Sequence, residues 1–137
     1  MKRTLFILAI ASLPACAGGP TFSPAADREI GRFSSRTARL MELAEDPYGD
    51  HAKATEKLLA DLRYAQDRAG RRQANDVAAA QWDLLLAPDG NLVGGFFLRW
   101  ETEGSLRPGF IVEAIALVEE AFDRLRAHER RKTGAPR

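Results

Sequence analysis

The chain has 137 residues, of which 45% are hydrophobic and 28% charged, enough apolar material for one ordinary globular core and unlike a disordered or fibrous composition. Its 20 basic and 19 acidic residues leave a formal charge of +1, so no net field draws it to nucleic acid, and only a modest basic patch stands at the C-terminus. The single cysteine cannot pair within the chain, and two histidines make no ligand cluster at metal spacing.

The first sixteen residues, MKRTLFILAIASLPAC, have the parts of an export signal: basic Lys2 and Arg3, an apolar run from Leu5 to Leu13, and small residues before a cleavage point. That run is too short to span a bilayer permanently. Its removal takes two basic residues and no acidic one, which moves the formal charge just below neutrality. The four residues Leu13-Pro14-Ala15-Cys16 resemble the lipobox of bacterial lipoproteins, with Pro14 departing from the commonest choice at its position. The resemblance covers the export segment alone. It implies cleavage between Ala15 and Cys16 and a diacylglycerol linkage on the Cys16 thiol, with the new N-terminus commonly acylated as well. Two or three acyl chains hold a protein on a membrane far more firmly than one. Ala17, where an aspartate would mark retention, resembles family members sent on to the outer membrane of Gram-negative bacteria. An ordinary cleaved signal with a cysteine beside the cut is the alternative, but it leaves an unpaired thiol in an oxidising compartment.

Residues 16–24 read as the lipidated cysteine and a Gly/Pro tether, of which the eight residues after Cys16 reach at most about 29 Å. Ser23 and Pro24 then have the character of an N-cap and a first-turn proline, with Asp27 and Glu29 where the helix dipole favours negative charge. Ile30, Phe33, Thr37, Leu40, Met41 and Ala44 form one helical stripe, which stops before Pro47. A second helix is expected from Asp50 or His51 to Ala69 with Leu58, Leu59, Leu62 and Ala65 inside. Three continuations at Gly70 fit equally: a stop, a kink, or a run on to Ala80.

The next stretch, WDLLLAPDGNLVGGFFLRWETEG, surrounds Ala87-Pro88-Asp89-Gly90, which has the residues of a type I turn with a Gly bulge. The pattern is read as an antiparallel β-hairpin over about 81–102, pairing Leu86 near Leu92, Leu84 near Gly94 and Trp82 near Phe96. Gly94-Gly95 marks a bulge or a close backbone approach. Both faces of such a ribbon carry large apolar groups, so one of them needs further cover. The last helix starts near Pro108, with Ile111, Ile115, Val118, Phe122 and Leu125 on its stripe and Arg130, Arg131 and Lys132 at its end. The expected fold class is α+β: three amphipathic helices and one hairpin in a single domain over 25–132, then a disordered tail, 133–137.

Catalytic signatures are absent from the sequence. His51 beside Asp50 suits a helix cap, and His128 a solvated helix end. Glu113, Glu119 and Glu120 share the polar side of one helix, Asp89-Gly90-Asn91 lacks the further oxygens of a calcium loop, and Ser34, Ser35 and Ser105 lack a nucleophile context. The basic C-terminus is a candidate for contact with anionic headgroups. Of the aromatic set Trp82, Phe96, Phe97 and Trp100, most belongs to a core; Phe97 and Trp100, with Arg99 at a rim, are the candidate partner-binding residues. The expected function is that of a lipid-anchored, non-catalytic accessory or adaptor lipoprotein at the periplasmic face of the outer membrane. It would use no cofactor and bind an envelope protein or a second copy of itself. The alternative is a lipoprotein that binds a small lipid or glycan ligand.

Overall fold

The computed structural model describes residues 19–136. The expected export signal, Cys16 and its cleavage site lie outside the described residues. Ser23 accepts a hydrogen bond on its side chain from the Ala26 N–H and caps α1 (Pro24–Met41), with Pro24 in the first turn as its fixed φ allows. The second helix, α2 (Tyr48–Arg71), begins after Pro47 and runs through Gly70 to a break at Arg72–Asn75. Three more helices follow: α3 (Asp76–Leu86), α4 (Val93–Glu103) and α5 (Pro108–Arg130).

The fold class is therefore all-α, which corrects the expected α+β hairpin over 81–102. That segment is the end of α3, a turn at Ala87–Leu92, and α4; the described residues hold only an isolated bridge, Thr21 to Thr133, and no strand. The reason is visible in the spacing. Val93, Phe96, Phe97 and Trp100 recur at steps of three, one and three, the stripe of a helix, and all four are buried. Wound as a helix they lie on one face, so the ribbon's problem of two apolar faces does not arise. Gly94 and Gly95 lower helix propensity but meet a stronger demand. A Cβ on Gly95 would fall on the Gly90 carbonyl oxygen, and one on Gly94 would drive into the carbonyl oxygens of Leu86 and Ala87. The turn between α3 and α4 is tight enough that only glycine fits.

The helices alternate in direction around one core. At one end Ser23, Arg72 and Lys132 meet Glu129, and Lys132 also meets Asn75. At the other, the Tyr48 N–H donates to the Gly104 carbonyl and the Leu106 N–H to the Ala44 carbonyl. α1, α2 and α5 are three long rods, and α3 followed by α4 makes the remaining one, broken at Pro88, in an up-down-up-down bundle. α1 packs most closely on α5. Trp82 bridges the middle of the core, edge-on to Phe33 at 6.3 Å and to Phe122 at 6.4 Å. Trp100 closes the far end, where Tyr48 and His51 lie on its ring and its Nε1 donates to the Asp46 carbonyl at 3.0 Å.

An even number of alternating rods brings the segment before α1 and the segment after α5 together. The Phe22 N–H donates to the Thr133 carbonyl at 3.0 Å, and the Thr133 N–H to the Pro20 carbonyl at 3.2 Å. Thus Pro20–Phe22, read from the sequence as tether, and Thr133, read as tail, are tied to each other. Among the described residues no helix is long and apolar enough to cross a membrane.

Candidate functional site

Two polar bridges cross the seam between α1 and α2. Arg68 reaches both oxygens of Glu29 at 2.6 Å, and Arg36 reaches Asp61 at 2.9 Å, an arrangement that lowers the Asp61 pKa through the Arg36 hydrogen bond. At the end shared by the termini this seam opens into a cavity of about 270 Å³. Small side chains make the room: Ala26 on α1, Ala65 and Ala69 on α2, and Ala78 on α3 leave space above Trp82 and Leu125. The floor is apolar. The rim is not, for Glu29, Arg68, Arg72, Asn75 and Glu129 converge on it.

One carboxylate organises that rim. Glu129, 3% exposed, receives Arg72 at 3.1 Å, Lys132 at 2.5 Å and the Ser23 backbone N–H at 2.7 Å. Burial alone would raise its pKa, but these donors hold it below the usual range. Lys132, itself 6% exposed, also donates to Asn75, whose amide donates to the Ala69 carbonyl at 2.8 Å. Arg72 donates in addition to the Thr21 carbonyl at 2.7 Å. The network therefore joins α5, the α2–α3 break and the entering chain. Beside it Asp27 binds Arg130 through two bonds, of 2.8 and 3.1 Å, and Arg126 at 3.1 Å; the Arg130 bond is the chief cause of its lowered pKa.

These shifts set an acid limit. Asp27 and Glu129 titrate lower folded than unfolded, so their stabilisation is complete above the unfolded carboxylate range, near pH 4, and is lost as pH falls through their folded values. His128 acts in the same direction from a higher pH, since burial first, and then Lys132 and Arg131, lower its pKa and make it charge more readily when unfolded. Urea titrations across acid pH are expected to show stability beginning to fall below about pH 6.5, as His128 charges in the unfolded chain, and falling further below about pH 4 as the carboxylates protonate. In Glu129→Gln that fall is shallower, and the plateau lies about 3 kcal/mol lower because Lys132 and Arg72 are left without their carboxylate.

The sequence-predicted site residues are not brought together. Phe97 is 1% and Trp100 0% exposed, so both are interior and neither is available to a partner; the stripe noted above could have shown this. Arg99 is at the surface, with its guanidinium 4.2 Å from the Phe110 ring centre and bonded to Glu103 at 2.6 Å. With Glu113 and Leu117 it lines a second cavity between α4 and α5. His51 pairs with Asp46 at 3.0 Å and not with Asp50. Glu120 pairs with Arg124, and no group of acidic, histidine or cysteine side chains among the described residues is arranged to hold a metal ion. Sequence reasoning missed Glu129, Lys132, Asn75 and the alanine-lined cavity. A lysine and a glutamate three residues apart on a helix end read as solvent-facing, and only the fold shows Asn75 and Arg72 closing over them.

Comparison with protein-family models, with curated proteins and with solved structures gives no match.

Proposed function

We propose that this chain is a non-catalytic binding lipoprotein, held by lipid on Cys16 at the periplasmic face of the outer membrane, and that its ligand is a small amphipathic molecule. The observation that carries the ligand is the cavity of about 270 Å³, with an apolar floor of alanines, Ile30, Trp82 and Leu125 beneath two rim guanidiniums. Unfilled apolar space in a packed core costs stability, and a small volume with a few convergent polar groups suits a ligand with a hydrocarbon part and a polar or anionic head. Arg72 grips Glu129 through two nitrogens, whereas Arg68 holds both oxygens of Glu29 through one, which leaves further N–H groups of Arg68 for an anionic oxygen. The anchor follows from the resemblance of Leu13-Pro14-Ala15-Cys16 to a lipobox.

The probe is a fluorescent fatty acid titrated into wild type and into Ala69→Phe, which fills the cavity. Saturable binding is expected in wild type, with a rise in Tm as ligand exceeds Kd, and a loss of both in the folded variant. Equal binding by both proteins, or none by either, overturns the ligand reading.

A second reading, the adaptor that docks on an envelope protein, is favoured by one observation. Arg99, Glu113 and Leu117 line an exposed hollow of about 230 Å³ floored by Phe96 and Phe110, with Leu98 and Val112 also exposed on the same two helices. On that reading Arg99→Glu abolishes a specific crosslink formed in native membranes, and leaves fatty-acid binding unchanged.

A further inference from the structure

Charge is sorted along the bundle axis. At the far end Glu42, Glu45, Asp46, Asp50, Glu101 and Glu103 are all exposed, against Arg39, Lys53, Arg99 and Arg107, of which Arg99 is bonded to Glu103. Burial, with Glu101 and Glu56 adding to it, raises the Tyr48 pKa there, as a negative field would. The end that holds the termini has the opposite sign. Its two buried carboxylates each hold two cations, Asp27 with Arg126 and Arg130, and Glu129 with Arg72 and Lys132, so each cluster keeps a net positive charge. Exposed Arg28 and Arg131 add to this without an ion-pair partner among the described residues, and Arg71 is shared with Asp67 at 2.9 Å.

The chain also enters at this end. Thr21 is tied to Thr133, and four residue steps lead from Cys16 to Pro20, a reach of about 14 Å at most. We infer that the basic end is itself a membrane-contact surface, which binds anionic phospholipid headgroups directly. The acidic end is repelled by the same surface, so the bundle stands upright with the cavity mouth at headgroup level. The orientation rests on the proposed anchor at Cys16; the affinity of the basic end for anionic lipid does not.

The test uses residues 17–137, which hold every described residue and therefore the whole core, sedimented with vesicles of equal parts phosphatidylglycerol and phosphatidylcholine or of phosphatidylcholine alone. Binding to the anionic vesicles only is expected, weakening as salt is raised. Arg71→Glu with Arg131→Glu should weaken it roughly tenfold or more, while Lys53→Glu with Arg107→Glu at the far end leaves it nearly unchanged. Circular dichroism confirms that each variant is folded. Equal binding to both vesicle types, no binding to either, or equal loss from the two double variants overturns the inference. Acylation of Cys16 is read separately, by mass, so failure of the anchor and failure of this surface are distinguishable.

Discussion

Phe97→Asp is expected to unfold the protein. Phe97 is 1% exposed, edge-on to Phe96 at 5.4 Å and beside Trp100 at 6.2 Å, inside the layer that joins α4 to α2 and to the start of α5. A carboxylate there loses the apolar contacts of the ring and also has no cation within the layer, and the two costs together exceed about 4 kcal/mol. That is a large part of the whole stability of a domain of this size. Trp100→Ala removes the largest fully buried side chain and orphans the Asp46 carbonyl, at a cost of about 3 to 5 kcal/mol. Thermal melts followed by circular dichroism read both. If Phe97→Asp melts within a few degrees of wild type, then Phe97 lies at the surface and the arrangement of α4 described above is wrong.

Gly95→Ala is expected to be nearly as damaging, although in an exposed helix the same change stabilises. The added methyl has no place to go, because it meets the backbone carbonyl of Gly90 and not the end of a flexible side chain. The turn at Ala87–Leu92 must then open, and α3 and α4 lose their register on α2; a loss of about 3 kcal/mol is expected, as for other overpacked sites. Gly70 supplies the contrast. It lies in the last turn of α2 with nothing near an added Cβ, so Gly70→Ala should raise stability by about 0.5 to 1 kcal/mol. Urea denaturation of the two variants checks the pair. Equal effects of the two substitutions would mean that the tight turn does not exist.

The sequence was most readable where helical period, caps and breakers agree. Ser23 and Pro24 placed the start of α1, and Pro108 with the Ile111 to Leu125 stripe placed α5, because those signals are local. Gly70 was not decisive since a glycine in a last turn costs little, and the true break came at Arg72–Asn75, where Ala74 adopts a positive φ of 53°. The segment 81–102 was misread because Pro-Asp-Gly serves a helix–helix turn as well as a hairpin, and two adjacent glycines disguised a helical stripe. Gly94-Gly95 was nevertheless a true sign of close backbone approach. The site at the termini end was illegible for a different reason. Asp27, the Arg72–Asn75 pair and the Glu129–Lys132 pair come from three distant stretches of the chain, and their burial depends on how α1, α5 and the α2–α3 break meet.

We propose that lipid on Cys16 tethers this bundle at the end where its cavity and its basic groups lie. The intact mass of the protein extracted from native membranes, with fragmentation of its N-terminus, tests it most directly. The expected product is a chain beginning at Cys16 that carries a diacylglyceryl group on the thiol and a further acyl chain on the amine. A chain that begins elsewhere, or one that starts at Cys16 with a free thiol, would contradict it.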